Sequence, residues 1–240
     1  MGLVEGFQYE YDLKKFHKII PKNQNFKMLV APRYLHHYLQ NAYEEFTVDL
    51  LLNNSKERIL FIDIGAHYGF YSLLLAKTHK KNKIIAFEPV PENYEIIKRN
   101  LWLNNFENIE VHNLAVSNKD EIRRFNISEA SDLCGFYQHP LAKTIKEIEV
   151  RTVALDNFIK DPPKVSTIIK IDTEGHEGYV LEGMRNFLRN IEDVKLILEF
   201  NPKMLTKAGY EQEKFLEGIY HSGFDIYFKN WYFSKTWQNA

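Results

Sequence analysis

Asp63, Gly65, Gly69 and Glu88 are the residues whose types and spacing first point to chemistry. An apolar run, Ile59 to Ile62, leads into Asp63-Ile64-Gly65 within FIDIGAHYG, residues 61–69, and a helical pattern follows Gly69. Glycine lets the backbone turn tightly and approach a ligand closely. The start of the helix behind it offers N–H groups without intrahelical partners. Nineteen residues after Gly69, a second apolar run (Ile84 to Phe87) ends on Glu88. An acid at such a strand tip can take both hydroxyls of a ribose. The set suits an adenosine-containing cofactor.

The spacing also discriminates between cofactors. A dinucleotide site asks for G-x-G-x-x-G, which packs a pyrophosphate against the helix. Here the loop reads Gly65-Ala66-His67-Tyr68-Gly69, with Asp63 two residues before the first glycine. A carboxylate there repels a pyrophosphate and suits a ligand with a cationic amino-acid end. S-adenosyl-L-methionine, with S-adenosyl-L-homocysteine as its product, is such a ligand. Asp63, Gly65, Ala66, His67, Gly69, Glu88 and Pro89 are the residues expected around it.

A second concentration of ionisable groups is Asp172-Thr173-Glu174-Gly175-His176-Glu177. Acids in a first helical turn are favoured by the helix dipole, and Glu177 reads mainly as that. Asp172 ends a strand and is the residue best placed near the reacting end of the cofactor. His176, with an ordinary pKa near neutrality, is a candidate general base, and Glu174 is another. Asp172, Glu174 and Glu199 could hold a divalent cation through oxygen ligands, but no ligand spacing is diagnostic and no metal is assigned.

These tips need a scaffold, and the pattern supplies one. Strands are expected at 59–64, 83–88, 108–113, 121–127, 146–153, 167–171 and 195–200, and a terminal hairpin at 224–229 and 231–235, turning at Asn230. Helices are expected at 69–79, 91–104 (inner face Tyr94, Ile97, Leu101), 155–159, 179–189 and 211–221. Alternating strands and helices imply an α/β, doubly wound, mostly parallel sheet, here expected to have seven strands and an antiparallel C-terminal hairpin. Ligands bind outside the carboxyl ends of such strands. Five ends are polar: Asp63–Gly65, Glu88–Pro89, Asn113–Ser117, Asp172–Glu177 and Glu199–Asn201. Residues 1–57 are expected to form an N-terminal helical cap, with one helix from Arg33 to Leu52, ahead of a cofactor-binding domain at 58–240.

The bulk numbers exclude several classes. Of 240 residues, 45% are hydrophobic and 26% charged, as in an ordinary soluble domain, and the net charge of −1 gives no nucleic-acid footprint. No apolar run approaches a membrane span, and MGLVEGFQYEYD is neither a secretory signal nor a myristoylation site. The lone Cys134 fits a reducing, cytoplasmic compartment and reads as a small buried or loop residue. Oligomeric state is not legible.

Six segments, taken together, resemble the FkbM family of S-adenosylmethionine-dependent methyltransferases. They are FIDIGAHYGFYS, AFEPVPENYEIIKRNL, NLAVSN, RTVALDNFI, IIKIDTEGHEGYVLEGM and LILEF, in the family's order. IDTEGHE with the following Leu-Glu-Gly is the most specific piece; the family loop usually has Asn where this chain has His67. The resemblance implies a Rossmann-like class I methyltransferase fold and O-methylation of sugar or polyketide hydroxyls. It places Asp63, Gly65 and Glu88 around the cofactor and Asn113, Ala115 and Val116 near the adenine. The expected acceptor is a glycan or related small molecule. The alternatives are a protein, lipid or nucleic-acid acceptor, or a non-catalytic cofactor-binding protein. Lys14, Lys15, Lys18, Lys22, Lys27 and Arg33 form a basic surface, and SEASDLCGFYQ reads as a mobile loop lining the acceptor pocket.

Overall fold

Period-2 alternation along the central strands decides where each side of the sheet faces. The computed structural model describes residues 15–40, 43–229 and 232–236; Lys14 and the turn at Asn230 lie outside them. Among the described residues the first elements are a small hairpin, β1 (His17–Ile19) and β2 (Met28–Val30), and two short helices, α1 (Leu35–Leu39) and α2 (Glu45–Asn54). The regular alternation then starts: β3 (Ile59–Ile64), α3 (Phe70–Thr78), β4 (Lys83–Phe87), α4 (Pro91–Asn104) and β5 (Ile109–His112). A three-stranded sheet follows, of β6 (Ala115–Val116), β7 (Ile122–Ser128) and β8 (Thr144–Val153). After α5 (Leu155–Phe158) come β9 (Ser166–Ile171), α6 (Glu177–Glu182), α7 (Arg185–Arg189), β10 (Val194–Glu199), α8 (Pro202–Lys207) and α9 (Gln212–His221). The hairpin β11 (Tyr227–Lys229) and β12 (Tyr232–Thr236) closes the chain.

The main sheet runs in the order β11-β12-β10-β9-β3-β4-β5. Its parallel body has five strands, not seven; β12 pairs antiparallel to β10 and carries β11. The strands expected at 121–127 and 146–153 belong to the separate small sheet. On β3, Ile59 and Phe61 enter one core and Leu60, Ile62 and Ile64 the other, so every residue of this central strand is buried. Burying side chains of this size stabilises by about 1.5–3 kcal/mol each. The same parity on β9 sends Ile168 to the first core and Ile169 and Ile171 to the second.

Two expected helices are broken. Arg33 to Leu52 is interrupted because Glu44 takes a left-handed φ of 42° and the chain turns to pack Tyr38, Tyr43 and Phe70 together. The 179–189 helix starts earlier, at Glu177, and stops at Glu182. There Gly183 runs so close to the Ser117 carbonyl that a Cβ would lie 1.9 Å from it. Helix α8 was not anticipated; Asn201 caps it by accepting from the Met204 N–H at 3.3 Å. On α4 the inner face is Asn93, Ile96, Ile97 and Asn100, with Tyr94 and Leu101 only partly buried.

The two asparagines of α4 hold the N-terminal segment to the domain. Asn100 accepts from Leu29 N–H at 2.6 Å and donates to the Tyr68 carbonyl at 2.9 Å. Asn104 accepts from Lys27 N–H at 2.8 Å and donates to the Lys27 carbonyl at 2.6 Å. Phe26, Met28 and Val30 thereby complete the core that contains Phe61 and Phe70. Asn100→Ala strands a buried carbonyl and an N–H, and should cost about 2–4 kcal/mol. Urea unfolding measures this; a loss below about 1 kcal/mol would mean the segment is not held there.

Candidate active site

The strand tips converge because the five strands are parallel. Along one face of the sheet the apolar parity turns polar near the carboxyl ends: Phe61 gives way to Asp63, Ile168 to Lys170 and then Asp172, and Ile197 to Glu199. Asp63 is in register with Lys170, and Lys170 with Ile197. Lys170 is only 6% exposed, donates to Asp172 Oδ2 at 2.8 Å and lies over the Tyr71 ring. Burial works against its charge, but Asp172, Asp63 and Glu44 outweigh burial and raise its pKa. Asp172 also suffers burial, yet Lys170 and a hydrogen bond with Glu199 hold its carboxyl below the usual range.

Asp63 accepts from Ser72 Oγ at 2.6 Å through Oδ2. Its Oδ1 is buried without a hydrogen-bond partner among the described residues. Burial pushes the Asp63 carboxyl up, against the pull of Lys170 and Ser72. Next to it, Gly65 adopts φ 79°, and a Cβ there would lie 1.9 Å from the Asp172 carbonyl oxygen. The chain therefore has no room for any other residue between the first and fourth parallel strand tips.

Glu88 is buried and accepts from His67 N–H at 2.7 Å, Val90 N–H at 2.9 Å and the Asn93 amide at 3.3 Å. Burial lifts its pKa to about 7 in spite of those donors. Gly65, His67, Glu88, Pro89, Ala115, Val116, Asp172, Glu174 and His176 all line one cleft, together with Leu114 and Phe136. Ala66 sits in the same turn, and Gly69 (φ 81°) starts α3. Asn113 does not line the cleft; its amide donates to the Glu88 and Pro89 carbonyls and fixes that loop.

The SEASDLCGFYQ segment is tied down instead of loose. Ser131 Oγ lies 2.8 Å from His67 Nε2 and 3.0 Å from the Tyr68 hydroxyl, and Tyr34 donates to Asp132 at 2.6 Å. Cys134 is buried, with its thiol pushed up to about 11 by burial, as expected of a packing residue. The segment narrows the cleft to about 90 Å³, room for only a few waters. A larger cavity of about 1010 Å³ lies elsewhere, between α6, α7 and α9. It carries none of the strand-tip acids, so size does not mark the site.

His176 is not the open base the spacing predicts. Its ring is fully buried between Phe136 (4.2 Å) and Tyr179 (4.7 Å), with Nε2 3.0 Å from Ser117 Oγ. Burial, helped by Arg123, lowers its pKa to about 3. Glu177 caps the turn, accepting from the Thr173 N–H, the Thr173 hydroxyl and the Gly175 N–H. Glu174 stands in left-handed backbone (φ 52°) with its pKa lifted to about 9, first by burial and then by Asp172 and Glu177.

The profile of the methyltransferase FkbM domain matches residues 63–226 of this chain. The chain belongs to the FkbM methyltransferase family. The family's methyl donor is S-adenosylmethionine, and the residues present fit it: an unpartnered buried Asp63 oxygen for an ammonium, Gly65 for close backbone approach, and Glu88 at the neighbouring tip. Methyltransferase 1 of Beauveria bassiana is 24% identical over 142 residues, 51% of this chain and 57% of that protein. The hexuronic acid methyltransferase AglP of Haloferax volcanii is 25% identical over 175 residues, 68% of this chain and 66% of that protein. The matches thus span about three-fifths of these relatives' length. The structure of the Podospora anserina methyltransferase PaMTH1 bound to S-adenosylhomocysteine shares the fold, with a TM-score of 0.51 at 10% identity over 84% of this chain and 80% of that one.

Sequence reasoning passed over Lys170, Ser72, Glu44 and Tyr71. Tyr71 donates to Glu44 and both lie over the lysine's side of the sheet. The available signal was a lysine inside an otherwise apolar strand, which must be paired if buried. Lys170→Met in this FkbM-family site should cost about 3 kcal/mol at pH 8, because it leaves buried carboxylates unpaired. The deficit should shrink at pH 5. Without the lysine the carboxyls' folded pKa values rise, so the variant's stability is kept at low pH and lost as pH climbs through them. Urea unfolding at both pH values decides; equal losses would assign the effect to packing alone.

Proposed function

We propose that this protein transfers the methyl group of S-adenosylmethionine to an oxygen of a sugar or glycan. The observation that carries the reading is the convergence of Glu88, Asp172 and Glu174 on one cleft, with Asp63 buried two residues before the Gly65 that lines it and Asp172 kept ionised by Lys170. The relative named for hexuronic acid supports a sugar acceptor. The sulfonium supplies an activated methyl and a neutral leaving group, so the protein's task is alignment and handling of the acceptor's proton. Alignment alone can lower a barrier by several kcal/mol.

In this reading Asp63 faces the ammonium of the cofactor and Glu88 its ribose. Ala115 and Val116 flank the adenine. Asp172, about one-third exposed and charged, meets the acceptor's hydroxyl and favours departure of its proton. Glu174 borders the same place. His176 holds the Phe136 side of the cleft. Admission of the cofactor requires the Ser131–Phe136 segment to withdraw from His67.

Glu88→Gln should weaken S-adenosylhomocysteine binding about 10- to 100-fold, through loss of charge-assisted hydrogen bonds. Ribose hydroxyls donate to the ionised carboxylate, whose free-state pKa is about 7. Wild-type affinity should therefore rise as pH increases through 7, and the variant's should not. Calorimetric titration with S-adenosylhomocysteine and NAD checks both points; NAD binding in place of the sulfur ligand would overturn the assignment. Asp172→Asn should lower turnover about 10²- to 10⁴-fold on a glycan acceptor. An ether product survives alkali. Release of methanol by alkali would identify a carboxylate acceptor and reject the hydroxyl reading.

A further inference from the structure

Asp172 and Glu174 line the cleft just beyond the end of β9, and Glu199 ends the neighbouring strand β10. Each offers one carboxylate oxygen, and these oxygens lie within 4.8 Å of one another. Opposite oxygens around one magnesium ion are about 4.0–4.2 Å apart, so a single ion can span the set with side-chain shifts of a few tenths of an ångström.

A second observation points to a ligand there. Glu174 is only 8% exposed, and its Oε2 is buried with no hydrogen-bond partner among the described residues. His139 Nε2 stands off at 3.5 Å. Oε2 of Glu199 is likewise buried and unpartnered. Leaving buried acceptors unsatisfied is costly, more so for carboxyl groups. Lys170 does not answer this need: its ammonium is committed to Asp172 Oδ2 and faces Asp63 and Glu44 on the other side. The rest of Asp172 is met by the carboxyl of Glu199, so the two acids share a hydrogen bond that a bound ion would replace.

We propose that Asp172, Glu174 and Glu199 bind one divalent cation of the hard, oxygen-preferring kind, magnesium or manganese. The donor set contains carboxylates alone, which disfavours zinc and copper relative to these ions. The ion satisfies the two orphaned oxygens and cancels repulsion among three acids. On the methyl-transfer reading it also gives the acceptor's oxygen an electropositive seat, which an acidic sugar needs in so acidic a cleft. Only this role rests on that reading; the binding of the ion does not.

The test is a manganese titration of the full chain without cofactor, read by the loss of the free-ion electron paramagnetic resonance signal. The expected result is one equivalent bound with Kd on the order of 10⁻⁵–10⁻⁴ M, within the range of carboxylate sites, and displaced by magnesium. Glu199→Gln should weaken binding at least about tenfold while S-adenosylhomocysteine affinity stays within about threefold. If Glu199→Gln does not fold, Glu174→Gln takes its place, read by the same loss of manganese binding alone. Absence of stoichiometric manganese in protein that binds S-adenosylhomocysteine overturns the cation site and leaves the methyl-transfer reading standing. Unchanged manganese binding in the folded variants puts the ion elsewhere and also overturns it. Manganese binding as expected, in protein that binds no S-adenosylhomocysteine, upholds the cation site and breaks the methyl-transfer reading.

Discussion

A lysine in the middle of a parallel sheet must find its countercharge inside the protein, and Lys170 finds it at the strand tips. Its ammonium, 6% exposed by residue, touches Asp172 and faces Asp63 and Glu44. A buried cation or a buried carboxylate alone costs several kcal/mol. Together they let two adjacent parallel strands, β3 and β9, end in charge with Asp63 and Lys170 buried. Removing that ammonium would leave Asp63 and Asp172 to neutralise themselves by taking up protons. The polar end of the sheet is therefore one electrostatic unit, with contributions from β3, β9 and the start of α2.

The same unit constrains the backbone. Gly65 passes against the Asp172 carbonyl, so the turn after β3 and the end of β9 are locked together. Asn113 ties the Glu88–Pro89 loop to the third tip. The turn after the N-terminal hairpin adds Tyr34, which donates to the cleft-lining Asp132. Residues far apart in the chain thus meet at one edge because parallel strands put all their carboxyl ends there.

The alternation of strands and helices from Ile59 to His221 was legible because it rests on local periodicity, 2 for strands and 3.6 for helices. The acids at the tips were legible for the same reason. What was not legible depended on tertiary contacts. The helix over Arg33–Leu52 stops at Leu39 and restarts only after the left-handed Glu44, where aromatic packing overrides propensity, and the 179–189 helix fails at Gly183 because another backbone lies against it. The parity Phe61-Asp63, Ile168-Lys170-Asp172 could have been extended to predict the lysine's role, since all of these share one face. His176 looked available among acids, but its loop position gave no hint of the Phe136 and Tyr179 rings that enclose it. Glu174 lies in the turn after β9 and Glu199 ends β10, so their closeness is a property of the fold and no spacing in the chain encodes it.

The central claim is that the strand-tip cleft, and not the larger cavity between α6, α7 and α9, receives S-adenosylmethionine. Amide hydrogen exchange with and without S-adenosylhomocysteine tests it most directly. The account requires added protection at residues 64–69, 88–90 and 114–116, and a change in exchange across 131–136. Protection confined to residues 178–189 and 209–224, or none at the strand tips in a protein that binds the ligand, would contradict it.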